Sequence, residues 1–202
     1  MFKLAVLASG RGSNLQSLID NLHFKKDNSI EIKCVISNNK EAYALKRAQK
    51  TKITFYLIDD NMYNNRREHE QQIKKIIDSY DIDLIVLAGY MKVLTSDFVE
   101  YFKNKIINIH PSLLPAFAGL DAQRQAVDYG VKVSGCTVHF VDKGVDSGPI
   151  IKQKVVCVNQ NDTEASLSKK ILKEEHKLLP KVVKLIAEDK IIIKDSKVFY
   201  RE

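Results

Sequence analysis

The sequence predicts an α/β fold: a doubly wound, mostly parallel sheet of Rossmann-like type with an antiparallel C-terminal part. Three observations carry that expectation. Short apolar runs alternate with amphipathic stretches through the first half of the chain. The stretches between runs have the length of single crossover helices, as βαβ units require. Beyond residue 130 the pattern changes to longer runs set closer together.

Phe2–Ala8 reads as a buried first strand, and Leu15, Leu18, Ile19 and Leu22 then recur at helical spacing. Ile32–Ile36 is a second strand ending in the turn Ser37-Asn38-Asn39. Ala42–Gln49 is helical, and Ile53–Leu57 is a third strand. Asn65–Tyr80 is polar but carries Ile73, Ile76 and Ile77 on one face, which marks a surface helix. Asp83–Ala88 and Ile106–Ile109 are the fourth and fifth strands. Val133–Asp142 and Ile150–Val158 read as neighbours, and Thr163–Ala187 as a long helix that Pro180 can kink. Lys190–Tyr200 closes the chain as a two-stranded ribbon. No repeat, low-complexity tract or linker interrupts the 202 residues, so one domain is expected over 1–202. Its halves meet near residue 105, with 1 to about 105 as the nucleotide or phosphate half and about 106 to 202 as the catalytic half.

The formal net charge is +7, but the lysines are spread along the chain without a block of like charge. A solvated basic surface and anionic small molecules account for this charge, and a nucleic-acid partner is not expected. No run approaches the ~20 apolar residues of a membrane span. Cys34, Cys136 and Cys157 each sit in an apolar, strand-like run and read as buried, reduced thiols, in keeping with a cytoplasmic protein. The five histidines, His23, His69, His110, His139 and His176, lack metal-ligand spacing, so no metal is expected.

Three stretches carry chemistry. Ser9-Gly10-Arg11-Gly12-Ser13-Asn14 follows the first strand and opens the first helix. Glycines there let the main chain approach a ligand, and the helix start offers free N–H groups to a phosphate. The loop is neither a Walker A sequence nor a full dinucleotide fingerprint, which favours a single phosphate monoester. Asn108-Ile109-His110-Pro111 follows the fifth strand, at the end where open α/β sheets place their sites. Two residues apart on extended backbone, Asn108 and His110 emerge on one face. A carboxamide donor beside an imidazole suits a carbonyl becoming a tetrahedral oxyanion. Finally, Asp142-Lys143-Gly144-Val145-Asp146-Ser147-Gly148 forms a shaped loop. A carboxylate at Asp146 near His110 favours the protonated, acid form of the histidine. His139 reads as a supporting hydrogen-bonding residue.

In this order, the three elements resemble the glycinamide ribonucleotide formyltransferase family, most strongly through LIVLAGYMKVLTSDFV, INIHPSLLPAFAGLDAQRQA and GCTVHFVDKGVDSGPII. The resemblance implies a Rossmann-like formyltransferase fold and transfer of formyl from 10-formyltetrahydrofolate to the amine of glycinamide ribonucleotide in purine synthesis. It implies Asn108, His110 and Asp146 as the catalytic group. Gly12, Ser13, Asn14, Leu15 and Gln16 would hold the ribonucleotide phosphate, and Glu175 would meet its ribose or amine side. The reduced folate would lie against Met91, Lys92, Val93 and Leu94, along Asp142, Lys143, Gly144, Val145 and Asp146, and near Asn108 and Arg67, with Arg66 beside it as the other register. Three positions depart from common family choices: Ala118 for proline, Asp121 for histidine and Lys92 for arginine. The sequence leaves monomer and homodimer open. Rival expectations are a formyltetrahydrofolate deformylase-like hydrolase, a tRNA formyltransferase and a non-catalytic folate- or nucleotide-binding regulator.

Overall fold

The computed structural model describes residues 1–23 and 29–201. They form two compact units, Met1–Ile107 and Asn108–Glu202. In the first unit the strands are β1 (Phe2–Leu7), β2 (Ile30–Ser37), β3 (Thr54–Leu57) and β4 (Leu84–Leu87), in the spatial order β3-β2-β1-β4. The pairings of β1 with β2, β1 with β4 and β2 with β3 are all parallel. Central parallel strands are covered on both faces and so need continuous apolar sequence rather than alternation. β1 meets that demand: Leu4 to Ala8 are fully buried. β3 lies at the edge, and three of its four residues are exposed.

The helices of this unit follow from their apolar faces and end signals. α1 (Ser13–Leu18) continues into a wider π-type turn over Ile19–His23, burying Leu15, Leu18, Ile19 and Leu22. α2 (Tyr43–Lys50) buries Ala44, Leu45 and Ala48 and carries Arg47 and Lys50 in its last turn, where cations complement the helix dipole. α3 (Arg66–Ser79) starts at Asn65, whose side chain accepts from Glu68 N at 3.0 Å, and it buries Ile73 and Ile77. α4 (Ser96–Tyr101) is short and capped by Thr95. Each fully buried Leu or Ile contributes roughly 1.5–3 kcal/mol relative to exposure.

β5 (Ile106–His110) begins at the end of the first unit and delivers Asn108 and His110 at the start of the second. The second unit holds α5 (Ala122–Tyr129), β6 (Val133–Phe140), β7 (Ile150–Cys157) and α6 (Glu164–Ala187). β8 (Ile191–Lys194) and β9 (Lys197–Tyr200) complete it. β6 and β7 pair antiparallel, as do β8 and β9. The Asp195-Ser196 turn between the last two strands is left-handed at both residues, the geometry of a two-residue hairpin. α6 packs against β6 and β7. Thr163 and Ser166 bond each other reciprocally as a capping box, and the helix runs unbroken through Pro180.

The α/β class, the mostly parallel strands and the antiparallel C-terminal part are those the sequence predicts. One expectation is corrected. Cys34 and Cys136 are buried, whereas Cys157 is exposed. On β7 the apolar residues alternate, so Val156 turns inward and Cys157 outward.

Candidate active site

The polar centre of the second unit is assembled from two loops and two strands. On β5 the flanking Ile107 and Ile109 are buried, and Asn108 and His110 occupy the alternate positions. Asp146 reaches them from the connection between β6 and β7. Two features shape that connection. Asp142 Oδ1 accepts from Gly144 N at 3.0 Å and from Ser147 Oγ at 2.8 Å. Gly148 lies so close to β6 that a Cβ there would sit 1.9 Å from the Phe140 carbonyl. Asp146 itself is left-handed, with φ 52°.

Both carboxylate oxygens of Asp146 are engaged. Oδ2 is 3.1 Å from His110 Nδ1 and accepts from Gly119 N at 2.9 Å. Oδ1 accepts from Asn108 Nδ2 at 3.2 Å and lies 3.5 Å from His139 Nε2. Burial pushes the Asp146 carboxyl up. The hydrogen bond from His139, the Gly119 N–H and the charges on His110 and His139 outweigh it and hold the group below the ordinary carboxylate value. His110 is buried, and its Nε2 lies 2.8 Å from the Phe117 carbonyl. Both of its ring nitrogens therefore face acceptors, so the pattern is fully satisfied when both carry a proton. His139 Nδ1 faces the Phe140 carbonyl at 2.8 Å, and its Nε2 is 3.3 Å from Asn108 Nδ2, longer than an ideal bond.

The Pro111–Leu120 loop around this centre is braced rather than free. Thr137 Oγ1 donates to the Ser112 carbonyl at 2.7 Å and accepts from Leu114 N at 3.1 Å. Gln153 Nε2 donates to the Leu114 carbonyl at 2.8 Å. Thr137, Gln153 and the main chain at Phe117 and Gly119 are contributors that sequence reasoning missed. Their roles depend on contacts across the fold, and no local motif marks them.

In the first unit, Gly12 begins α1 in the left-handed conformation with φ 65°, and no side chain caps the helix. Gly12 has no side chain to cap the first turn of α1, whose N–H groups point along the helix start. Leu15 is fully buried, so only its main chain can serve an anion. Gln16 is bonded to Asp20 at 2.9 Å and to Arg47 Nη1 at 2.9 Å. Arg47 also donates to the Arg11 carbonyl at 2.9 Å, adding a cation beside the loop that the sequence pattern does not reveal.

Following β4, Met91 and Val93 are 65% and 53% exposed. Lys92 pairs with Asp60, and exposed Arg67 with Asp97 at 3.2 Å. A cavity of about 360 Å³ opens beside Met91, between Ser9, Asn38 and Asp60. In the second unit, Val145 is exposed, while Glu175 is buried on α6. Cys34 and Cys136 are pushed up to about 12 by burial, which leaves them inert as nucleophiles at neutral pH. Among the described residues no group of three or more His, Cys, Asp or Glu can hold a metal ion, and no helix is long and apolar enough to cross a membrane.

A carboxamide and an imidazole held by one carboxylate at the end of an α/β strand mark an enzyme equipped for group transfer at a carbonyl carbon. The comparisons with known proteins fix the kind. The Formyl transferase family profile matches residues 2–183, and the chain belongs to that family. The chain is 41% identical to the phosphoribosylglycinamide formyltransferase of Haemophilus influenzae, covering 97% of this chain and 92% of that one. It is 43% identical to the human trifunctional purine biosynthetic protein adenosine-3 over 92% of its own length, but spans only 18% of that larger protein. The crystal structure of phosphoribosylglycinamide formyltransferase from Anaplasma phagocytophilum superposes with a TM-score of 0.92 at 44% identity, covering 100% of this chain and 95% of that one.

Proposed function

We propose that the protein transfers the formyl group of 10-formyltetrahydrofolate to the amine of glycinamide ribonucleotide. The products are formylglycinamide ribonucleotide and tetrahydrofolate, in de novo purine synthesis. The observation that carries this reading is Asp146, 3.1 Å from His110 Nδ1 and 3.2 Å from Asn108 Nδ2, in a chain of the formyl transferase family. The amine lone pair attacks the formyl carbon, and the carbonyl oxygen becomes an oxyanion. Asn108 Nδ2 keeps one hydrogen on Asp146 Oδ1 and donates the other to the oxyanion. The His110 Nε2–H, which faces the Phe117 carbonyl, is shared with the same oxygen without moving the ring. Asp146 keeps the imidazolium paired throughout. Collapse of the intermediate breaks the bond to the folate nitrogen, which takes up the proton lost by the amine.

Gly12, Ser13, Asn14, Leu15 and Gln16 hold the ribonucleotide phosphate, largely through main-chain N–H groups. Glu175 serves its ribose or amine side. Met91, Lys92, Val93 and Leu94, with Arg67 and Asp142, Lys143, Gly144 and Val145, receive the folate. Residues 1–202 work as one formyltransferase domain, with the phosphate loop in the first half and the reacting groups in the second. The enzyme acts in the cytoplasm as a monomer or homodimer.

The decisive assay mixes purified protein with 10-formyltetrahydrofolate and glycinamide ribonucleotide and follows the deformylated folate. Turnover that requires the ribonucleotide and formylates it is expected. Release of formate without any amine acceptor would replace this reading with a deformylase, and no turnover in folded protein would overturn it.

A further inference from the structure

The segment Gly89–Thr95, between β4 and α4, has no regular structure, yet it is fixed along its length from within the first unit. At its start, Ser9 N donates to the Gly89 carbonyl at 2.9 Å, and Met91 N donates to Ser9 Oγ at 2.9 Å. In the middle, Lys92 pairs with Asp60. At its end stands Glu70 on α3, only 4% exposed. Thr95 donates to it twice: the N–H to Oε1 at 2.8 Å and the hydroxyl to Oε2. The same hydroxyl accepts from Phe98 N at 3.3 Å and so starts α4.

A carboxylate taken out of water is costly unless its oxygens are satisfied. Here both oxygens are bonded to a single residue, and the chemistry at Asn108, His110 and Asp146 makes no use of them. The exposed side chains of Met91 and Val93 stand at and between these anchored positions. Apolar side chains displayed on a preset backbone form a ready-made surface for a flat ligand, and presetting lowers the cost of ordering on binding.

We propose that Glu70 is a positioning residue for folate recognition. Acting through Thr95, it sets the contour of Met91–Leu94 before the pterin ring arrives. The inference rests on the reading of Met91–Leu94 as the folate-receiving segment. Because the effect is on ligand preorganisation, it belongs in the folate KM and leaves the ribonucleotide KM alone.

The test uses the full chain with Glu70→Ala, Glu70→Gln, Thr95→Val and Val93→Asp, measuring both KM values, kcat and Tm. Glu70→Ala is expected to raise the folate KM about tenfold with the ribonucleotide KM changed by less than about twofold. Thr95→Val, which removes only the hydroxyl, gives a smaller rise in the same constant. Glu70→Gln recovers most of the loss, since an amide still accepts from Thr95 N and donates to its Oγ. If Glu70→Ala does not fold, Thr95→Val and Glu70→Gln carry the comparison alone. An unchanged folate KM in the Glu70 and Thr95 variants overturns the inference, as does a parallel rise of both KM values that tracks the fall in Tm. Val93→Asp separates the two levels. If it raises the folate KM while the Glu70 and Thr95 variants do not, only the role of Glu70 falls. If Val93→Asp leaves the folate KM unchanged, the folate segment and the inference fall together.

Discussion

The end of β5 and the segment after β4 are built by opposite rules. At β5 the functional side chains are themselves the bonded groups: His110 is buried between two acceptors, and Asp146 engages both oxygens. After β4 the main chain is bonded, through Ser9 and Glu70, and the side chains of Met91 and Val93 are left outside. Moving a proton requires donor and acceptor at a set distance, so reacting groups are cross-linked to one another. Receiving a ring requires only a surface of set contour, so polar bonds go to the backbone and apolar side chains remain for the ligand.

The sharpest break of this contrast would be a reacting side chain that can be removed at little cost. Asn108→Ala, His110→Ala and Asp146→Asn are each expected to lower kcat by on the order of 10²-fold or more, with both KM values nearly kept. Because Asp146 is bonded to both other groups, the double variant Asn108→Ala/Asp146→Asn should lose less than the product of the two single losses. Multiplicative losses in steady-state kinetics would mean that the groups act independently. The phosphate loop follows the backbone rule in its strictest form. Gly12→Ala imposes φ 65° on a residue with a side chain and drives its Cβ to 2.8 Å from Cα and Cβ of Ala44. A loss of about 1–3 kcal/mol is expected from the backbone alone, read by urea unfolding, together with a raised ribonucleotide KM and an unchanged folate KM. A fully stable variant would show that the turn has room to shift.

How far this contrast is legible in sequence depends on the range of the interactions involved. β1 and β4 are readable because central parallel strands need unbroken apolar runs, and α6 because its apolar face and Thr163 cap are local signals. α4 and α5 escape notice. The first has six residues, and the second buries only Ala122 and Ala126, so no large apolar residue marks its face. Asn108 and His110 are readable from their spacing on an extended strand end. Asp146 lies 36 positions beyond His110; the glycine-rich turn marks it as a candidate, and family likeness rather than any local spacing joins it to the histidine. Glu70 is hidden altogether: in the run Glu68-His69-Glu70-Gln71-Gln72 nothing local distinguishes the glutamate that turns inward. Cys157 misleads because the run VVCV on a two-faced strand looks wholly apolar.

The smallest expected effect concerns acid stability, and it bears on whether the β5 centre is held by charge. Burial by itself would raise the Asp146 carboxyl, but the bond from His139, the Gly119 N–H and the imidazole charges together hold it low. A carboxyl depressed in the folded state contributes stability that is present above its unfolded value and lost as pH falls through its folded one. The stability difference between the wild type and Asp146→Asn should therefore shrink as pH falls below about 4. Asp162, held at about 2 by Lys170, Ser166 and the Asn159 N–H, titrates in the same direction. It is present in both proteins, so its contribution cancels in the subtraction, whereas a single acid-unfolding curve would mix the two. Urea melts of the pair at half-unit pH steps give the difference directly. A difference that stays constant down to about pH 3 would mean that packing rather than charge fixes Asp146, and the cross-bonded description of the β5 centre would lose its electrostatic half.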